Sequence, residues 1–188
     1  MSNKYRDKDF ALIERIKQGD IRSFETLVNR YKDVSLNLSY TILKNKEYAE
    51  DTVQEAFVKV YHKLNSFKFK SSFKTWLYRI VINTSYNNLK KNQKYSVQED
   101  IHIDESAIDK SSLDEEDQKE YINLALNKLN NDEALVLRLH YLAELTIKEI
   151  EKVTSFSSSK IKTSLHRGRN NLYFQLKEIL GNEINDLL

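Results

Sequence analysis

A chain of 188 residues with no cysteine, no proline and three glycines has room for one domain or two small ones. It excludes disulfides, thiolate zinc sites and cysteine nucleophiles. No apolar run approaches the roughly 18 residues that span a bilayer, and the charged start from Met1 to Asp9 does not read as a signal peptide, so the expectation is a cytoplasmic protein with no membrane insertion.

Apolar residues recur at helical spacing almost throughout, which predicts an all-α fold of two small helical domains joined by a flexible acidic linker. Phe10, Ile13 and Ile16 form a first stripe ending at Gly19. Asp20 is placed to cap a second helix carrying Phe24, Leu27, Val28, Tyr31, Leu38 and Ile42. Asn45 opens a third, with Ala49, Val53, Ala56, Phe57, Val60 and Leu64 facing inward. After a loop from Ser66 to Ser72, a fourth helix is expected from about Phe73 to Lys91. These four make a bundle over residues 5–93.

The net charge of +2 hides a segregated layout. Between Ala56 and Gln98 there is no acid, while nine Lys/Arg and nine aromatic residues share the stretch. From Glu99 to Asp117, nine acids face the single Lys110. A segment at 94–112, with many acids and no sustained period, reads as a linker with little structure of its own. A second acid-free stretch, Lys152 to Lys177, carries six more basic residues. Two basic blocks around an acidic tether suggest two contacts with a polyanion. Aromatics in the first block add flat surfaces on which unpaired bases stack, at about 1–3 kcal/mol per base.

Beyond the linker, Ser112-x-x-Glu115, Asn130-x-x-Glu133 and Thr146-x-x-Glu149 each have the form of a capping box. They predict helices at about 113–129, 132–142, 146–153 and 158–180, a second bundle over 113–180. Thr146 to Gly168 has the layout of a helix-turn-helix. Ile147, Ile150, Val153, Ile161 and Leu165 join its two helices, while Lys160, Lys162, Thr163, His166, Arg167 and Arg169 point outward. Glu149 is read as the cap of its own helix.

Catalysis is not expected. There is no Gly-rich phosphate loop, no nucleophile elbow and no H-E-x-x-H, and His62, His102, His140 and His166 lack ligand spacing. Glu50, Asp51 and Glu55 have no paired Glu-x-x-His, so neither a metal site nor a cofactor is implied.

Three segments carry a resemblance. Ala49-Glu50-Asp51-Thr52-Val53-Gln54-Glu55-Ala56-Phe57 is similar to A-E-D-x-x-Q-E-x-F. Phe73-Lys74-Thr75-Trp76-Leu77-Tyr78-Arg79-Ile80, with Asn83, is similar to F-x-x-W-L-x-R-I-A-x-N. Ser159-Lys160-Ile161-Lys162-Thr163-Ser164-Leu165-His166-Arg167-Gly168-Arg169 is similar to G-T-V-K-S-R-L-x-R-A-R. In this order and spacing they resemble the sigma-70 family of RNA polymerase sigma factors, in its small extracytoplasmic-function (ECF) branch. The resemblance implies that 5–93 is sigma region 2 and 113–180 sigma region 4.

It also implies partners and roles. Glu50, Asp51, Gln54 and Glu55 would dock on the clamp helices of the largest polymerase subunit, with the flap as a further contact. Phe67, Lys68, Phe69, Lys70, Ser71, Asn83, Tyr86, Asn87 and Lys90 would hold the opened single strand of the −10 element. Trp76 is expected in the core, with Tyr86 and Phe69 as the exposed rings. Ser159, Lys160, Lys162, Thr163, His166, Arg167 and Arg169 would read the −35 element as duplex. An anti-sigma factor would cover the same surfaces.

The chain departs from the family pattern at Leu129-Asn130, Asn87, Ser164 and Gly168-Arg169. Two other readings compete. A helix-turn-helix activator would account for 113–180 but not for the two earlier motifs. A helical protein-interaction module would use the basic faces for acidic protein partners.

Overall fold

The computed structural model describes residues 9–95 and 115–181, with side chains for 9–92 and 118–181. The acidic linker and the Ser112 capping box lie outside the described residues. Among the described residues, helices follow one another without a strand.

The N-terminal lobe contains α1 (Phe10–Lys17), α2 (Ile21–Leu43), α3 (Lys46–Lys63) and α4 (Phe73–Tyr95), with a 3-10 turn at Leu64–Ser66 after α3. The helix starts follow from side-chain caps. Asp20 accepts from the Ser23 backbone N–H at 3.2 Å and the Ser23 hydroxyl at 2.8 Å. Arg15 donates at 2.6 Å to Oδ2, the oxygen that also accepts from the Ser23 hydroxyl. The two Ser23 bonds, and then Arg15, hold the Asp20 carboxyl below the usual carboxylate range. Asn45 accepts from the Tyr48 N–H at 2.9 Å and opens α3. Between them, Lys44 takes a left-handed φ of 55° that ends α2. Of the predicted inward residues, Leu27, Leu38, Ala56, Val60 and Leu64 are buried and are joined by Leu77 of α4, while Phe10, Phe24 and Val28 are half-buried. At about 1.5–3 kcal/mol per buried aliphatic side chain, these stripes supply the bundle's main driving force. Asp9 is buried too, bonded to the Arg30 guanidinium and the Tyr31 hydroxyl, which ties the start of α1 onto α2.

The C-terminal lobe contains α5 (Glu115–Lys128), α6 (Asn131–Leu137), α7 (Ile147–Thr154) and α8 (Ser158–Leu180). The helix expected at 132–142 is α6 followed by a π-helical turn, Arg138–Leu142. That widened turn is closed by the Ala143 N–H on the Arg138 carbonyl at 3.0 Å. Asn130 caps α6 through the Asp132 N–H at 3.0 Å, but Glu133 turns to Asn171 of α8 at 2.8 Å instead of completing the box. The Thr146–Glu149 box closes in both directions. Gly168 lets α8 approach α6 closely: a Cβ there would lie 3.0 Å from Leu137 Cδ1 and 3.3 Å from Glu133 Cβ. A larger residue at 168 would require Leu137 and Glu133 to give by a few tenths of an ångström.

The two lobes pack against each other through α4 on α7 and α2 on α6 and the π turn. One continuous apolar core runs through both, from Ile13 and Leu27 to Ile150 and Leu165.

Candidate nucleic-acid interface

The recognition helix is built as its periodicity requires. Ser157 caps α8 through the Lys160 N–H at 3.2 Å, and Ile161, Ser164, Leu165 and Gly168 turn inward. The remaining face presents Ser159, Lys160, Lys162, Thr163, His166, Arg167 and Arg169, and all seven are exposed. A helix with this face fits a major groove, where its first turns reach base edges and flanking cations reach phosphates. Two of the cations are already engaged: Lys160 pairs with Asp132 at 2.7 Å and sits 3.7 Å above the Phe156 ring, and Arg169 donates to the Tyr141 hydroxyl at 2.7 Å. The departure at Ser164 falls on the inner side of α8, where the residue is 8% exposed, and is therefore a packing change.

The loop before α4 is organised by aromatic packing. Phe67 is only 5% exposed, with its ring 4.9 Å from Trp76 and 4.7 Å from Phe69. Its expected role as an accessible stacking surface gives way to a core role, because the backbone turn aims it at α4. Trp76 packs against the same core, as expected. Phe69 is half-buried, at a left-handed φ of 53°. Its ring meets Phe10 at 5.0 Å and lies under Lys17, whose Nζ is 4.9 Å from the ring centre and 3.3 Å from the Phe67 carbonyl. Thus α1 braces the loop through Phe10 and Lys17, two positions that sequence reasoning did not assign. Lys68 and Lys70 are exposed and Ser71 is half-exposed.

On α4, Asn83, Asn87 and Lys90 are exposed along one side. Arg79, one turn before Asn83, is exposed as well and extends that stripe by a cation. Its spacing of four from Asn83 was the available signal. Tyr86 is half-buried, and burial raises its hydroxyl pKa, so it stays neutral.

On α3, Glu50, Asp51 and Gln54 are exposed. Glu55, one turn after Asp51, points partly toward α4. Its carboxylate pairs with Lys59 at 2.7 Å and accepts from Asn88 at 2.8 Å. Those two partners, Lys59 first, hold its carboxyl below the usual range. The acidic surface is thus mainly Glu50 and Asp51, with the neutral amide of Gln54 beside them and Val58 and Tyr61 adding exposed apolar area farther along the helix.

Among the described residues there is no cluster of His, Asp or Glu that would hold a metal ion, and no helix is long and apolar enough to cross a membrane. Among the described residues, acidic and basic side chains thus stand on separate exposed helix faces, an arrangement open to more than one class of protein.

Comparison with known proteins identifies the class. Residues 27–95 match the model of Sigma-70 region 2, and residues 119–172 that of Sigma-70 region 4. The chain is 30% identical over 179 residues to the ECF RNA polymerase sigma factor SigW of Bacillus subtilis, covering 89% of this chain and 96% of SigW. It is 27% identical over 192 residues to the ECF RNA polymerase sigma-E factor of Haemophilus influenzae, covering 96% and 97%. The fold is shared with the sigma factor RpoE of Bartonella quintana, solved with the anti-sigma factor NepR: TM-score 0.65 at 23% identity, covering 83% of this chain and 98% of that one. The chain belongs to the sigma-70 family, in its ECF branch. It is a non-enzymatic sigma factor that promotes transcription initiation through promoter recognition.

Proposed function

We propose that the two lobes divide promoter recognition between them and that α3 delivers both to the polymerase. In this reading residues 5–93 act as region 2, 94–112 as the acidic linker and 113–180 as region 4. Glu50, Asp51 and Gln54, with Glu55 at the margin, pair with basic residues on the clamp helices of the largest subunit. The 66–72 loop and the Arg79–Asn83–Asn87–Lys90 stripe hold the opened −10 strand, with Phe69 and Tyr86 as the partly accessible rings. Lys162, Thr163, His166, Arg167 and Arg169 read and clamp the −35 duplex, joined by Lys160 once Asp132 releases it. The carrying observation is that acidic and basic faces lie on different helices of one chain and are exposed together.

An anti-sigma factor is a further expected partner, supported by the complex in which the related RpoE fold was solved. The cytoplasm is the compartment in which such a factor meets polymerase.

The docking assignment is tested by Asp51→Arg, a change at an exposed position that leaves the core untouched. Binding to core polymerase, measured by fluorescence anisotropy, is expected to fall by at least tenfold, or about 1.4 kcal/mol, while the melting temperature holds. Undiminished binding would sink the assignment.

A further inference from the structure

The cations at the two edges of the α8 face are held in chemically different ways. Successive residues of an α-helix turn by about 100°. On that period Lys160 and Arg167 line one edge of the face and Lys162 and Arg169 the other, with Ser159, Thr163 and His166 between them. The α6 helix and its π turn pass beneath α8 at Gly168 and reach both edges. At the first edge, Asp132 neutralises Lys160 at 2.7 Å. At the second, Arg169 meets Tyr141, a neutral phenol.

The atom engaged at the second edge matters. The Arg169 Nε donates to the Tyr141 hydroxyl at 2.7 Å, and the guanidinium carbon lies 5.7 Å from the centre of the Tyr141 ring. Both Nη nitrogens keep their donors, with no partner among the described residues. A guanidinium is planar, so a bond at Nε fixes the plane and the direction of the Nη–H fork. That fork matches a phosphate through two parallel bonds. A free arginine loses rotamer freedom when it meets a phosphate, and one already held at Nε loses less.

Tyr141 is itself held. Its ring meets the His140 ring edge-on at 4.9 Å, and His140 Nδ1 lies 3.0 Å from the Leu145 carbonyl. Tyr141 and His140 belong to the π turn, a distortion that recurs at functional sites. At 55% exposed, the Tyr141 ring adds little to the core; what its hydroxyl touches is the reading helix.

We infer that Tyr141 is a positioning residue for DNA binding, aiming the Arg169 fork at a backbone phosphate along the Lys162 edge of the −35 duplex. It acts through Arg169 and supplies orientation, not charge. Asp132 withholds the cation of the Lys160 edge, so the grip on phosphate is tighter on the Tyr141 side until that pair parts. The inference deepens the −35 reading above and rests on it.

The test uses the full chain bound to core polymerase. The probe is a labelled duplex fragment from upstream of a start site mapped by run-off transcription. Affinity is measured over a range of salt for wild type, Tyr141→Phe, Arg169→Gln and the double variant. Tyr141→Phe keeps the ring and removes the hydroxyl. It is expected to weaken binding about three- to tenfold, as for one lost hydrogen bond, with the melting temperature unchanged. Arg169→Gln removes a phosphate contact and is expected to lower the salt slope by about one. In the Arg169→Gln background, Tyr141→Phe is expected to change affinity by less than about twofold, since the two residues act as one unit. A tyrosine that serves only the fold, or that touches DNA on its own, would cost as much in that background as in wild type. Equal losses in the two backgrounds, or no loss from Tyr141→Phe alone, would overturn the inference. Wild-type affinity and slope for Arg169→Gln, or no transcripts from wild type, would overturn the −35 reading beneath it.

Discussion

The two regions proposed to read DNA are made in opposite ways. On α8 the reading side chains stand on the outside of a helix whose inner stripe is packed, so all seven are exposed and the scaffold does not depend on them. In the 66–72 loop, the residues with chemistry for an unpaired strand are also the residues that hold the loop together. Phe67 is in the core, and Phe69 is braced by Phe10 and Lys17. A duplex presents a regular groove that a rigid helix can meet unchanged. An opened strand needs a shaped surface, and this loop takes its shape from tertiary packing. Binding and stability should therefore separate on α8 and be entangled in the loop.

The largest effect expected from this contrast is at Phe67. Phe67→Ala empties a buried aromatic site and is expected to cost about 3–5 kcal/mol of stability, seen as a lower midpoint in urea unfolding. If the midpoint stays while −10 strand binding falls, the loop is built like α8 and the contrast fails. His166→Ala should do the reverse: a loss of about 1–3 kcal/mol in −35 duplex binding, as for a base contact, with the unfolding midpoint unchanged. A smaller effect is expected on the inner side of α8. Gly168→Ala gains up to about 1 kcal/mol of helix propensity but meets Leu137, itself buried, at 3.0 Å. With overpacking at about 1–3 kcal/mol, the net outcome is a loss of about 1 kcal/mol, read in the same unfolding curve. A gain would show that α6 yields.

The smallest effect concerns pH. Partial burial pushes the Glu149 carboxyl up, but bonds from Thr146 and Thr75 and the charge of Lys74 outweigh it, leaving its pKa below the usual 4.5. Lys74 of α4 is the charged group that acts on it from the other lobe. A carboxyl with a lowered folded pKa stabilises the folded protein above its unfolded pKa, and that contribution is lost as pH falls through the folded value. Glu149→Gln should therefore flatten the dependence of melting temperature on pH below about 4.5. An identical slope in the variant would show that the Glu149–Thr75 contact does not stabilise the fold.

The helices were legible because their signals are local. Asp20, Asn45 and Thr146 cap where their side-chain chemistry says they should, and the inward residues of α2 and α3 follow a 3.6-residue period. The α8 face was legible for the same reason, since periodicity alone decides which side chains point outward. Phe67 was not, because a ring in an irregular loop is aimed by contacts distant in sequence. Glu55 was only half legible: its spacing from Asp51 is right, but Asn88 on α4, 33 residues away, turns its carboxylate aside. The π turn after α6 and the pairing of Glu149 with Thr75 depend on lobe packing, which no local pattern encodes.

Run-off transcription with purified core polymerase, this chain and fragmented genomic DNA tests the sigma assignment most directly. Discrete transcripts that require both proteins, starting downstream of a shared pair of sequence elements, are the predicted result. Their absence, together with unaided and sequence-selective binding of this chain to duplex DNA, would contradict it and return the helix-turn-helix to the role of an activator.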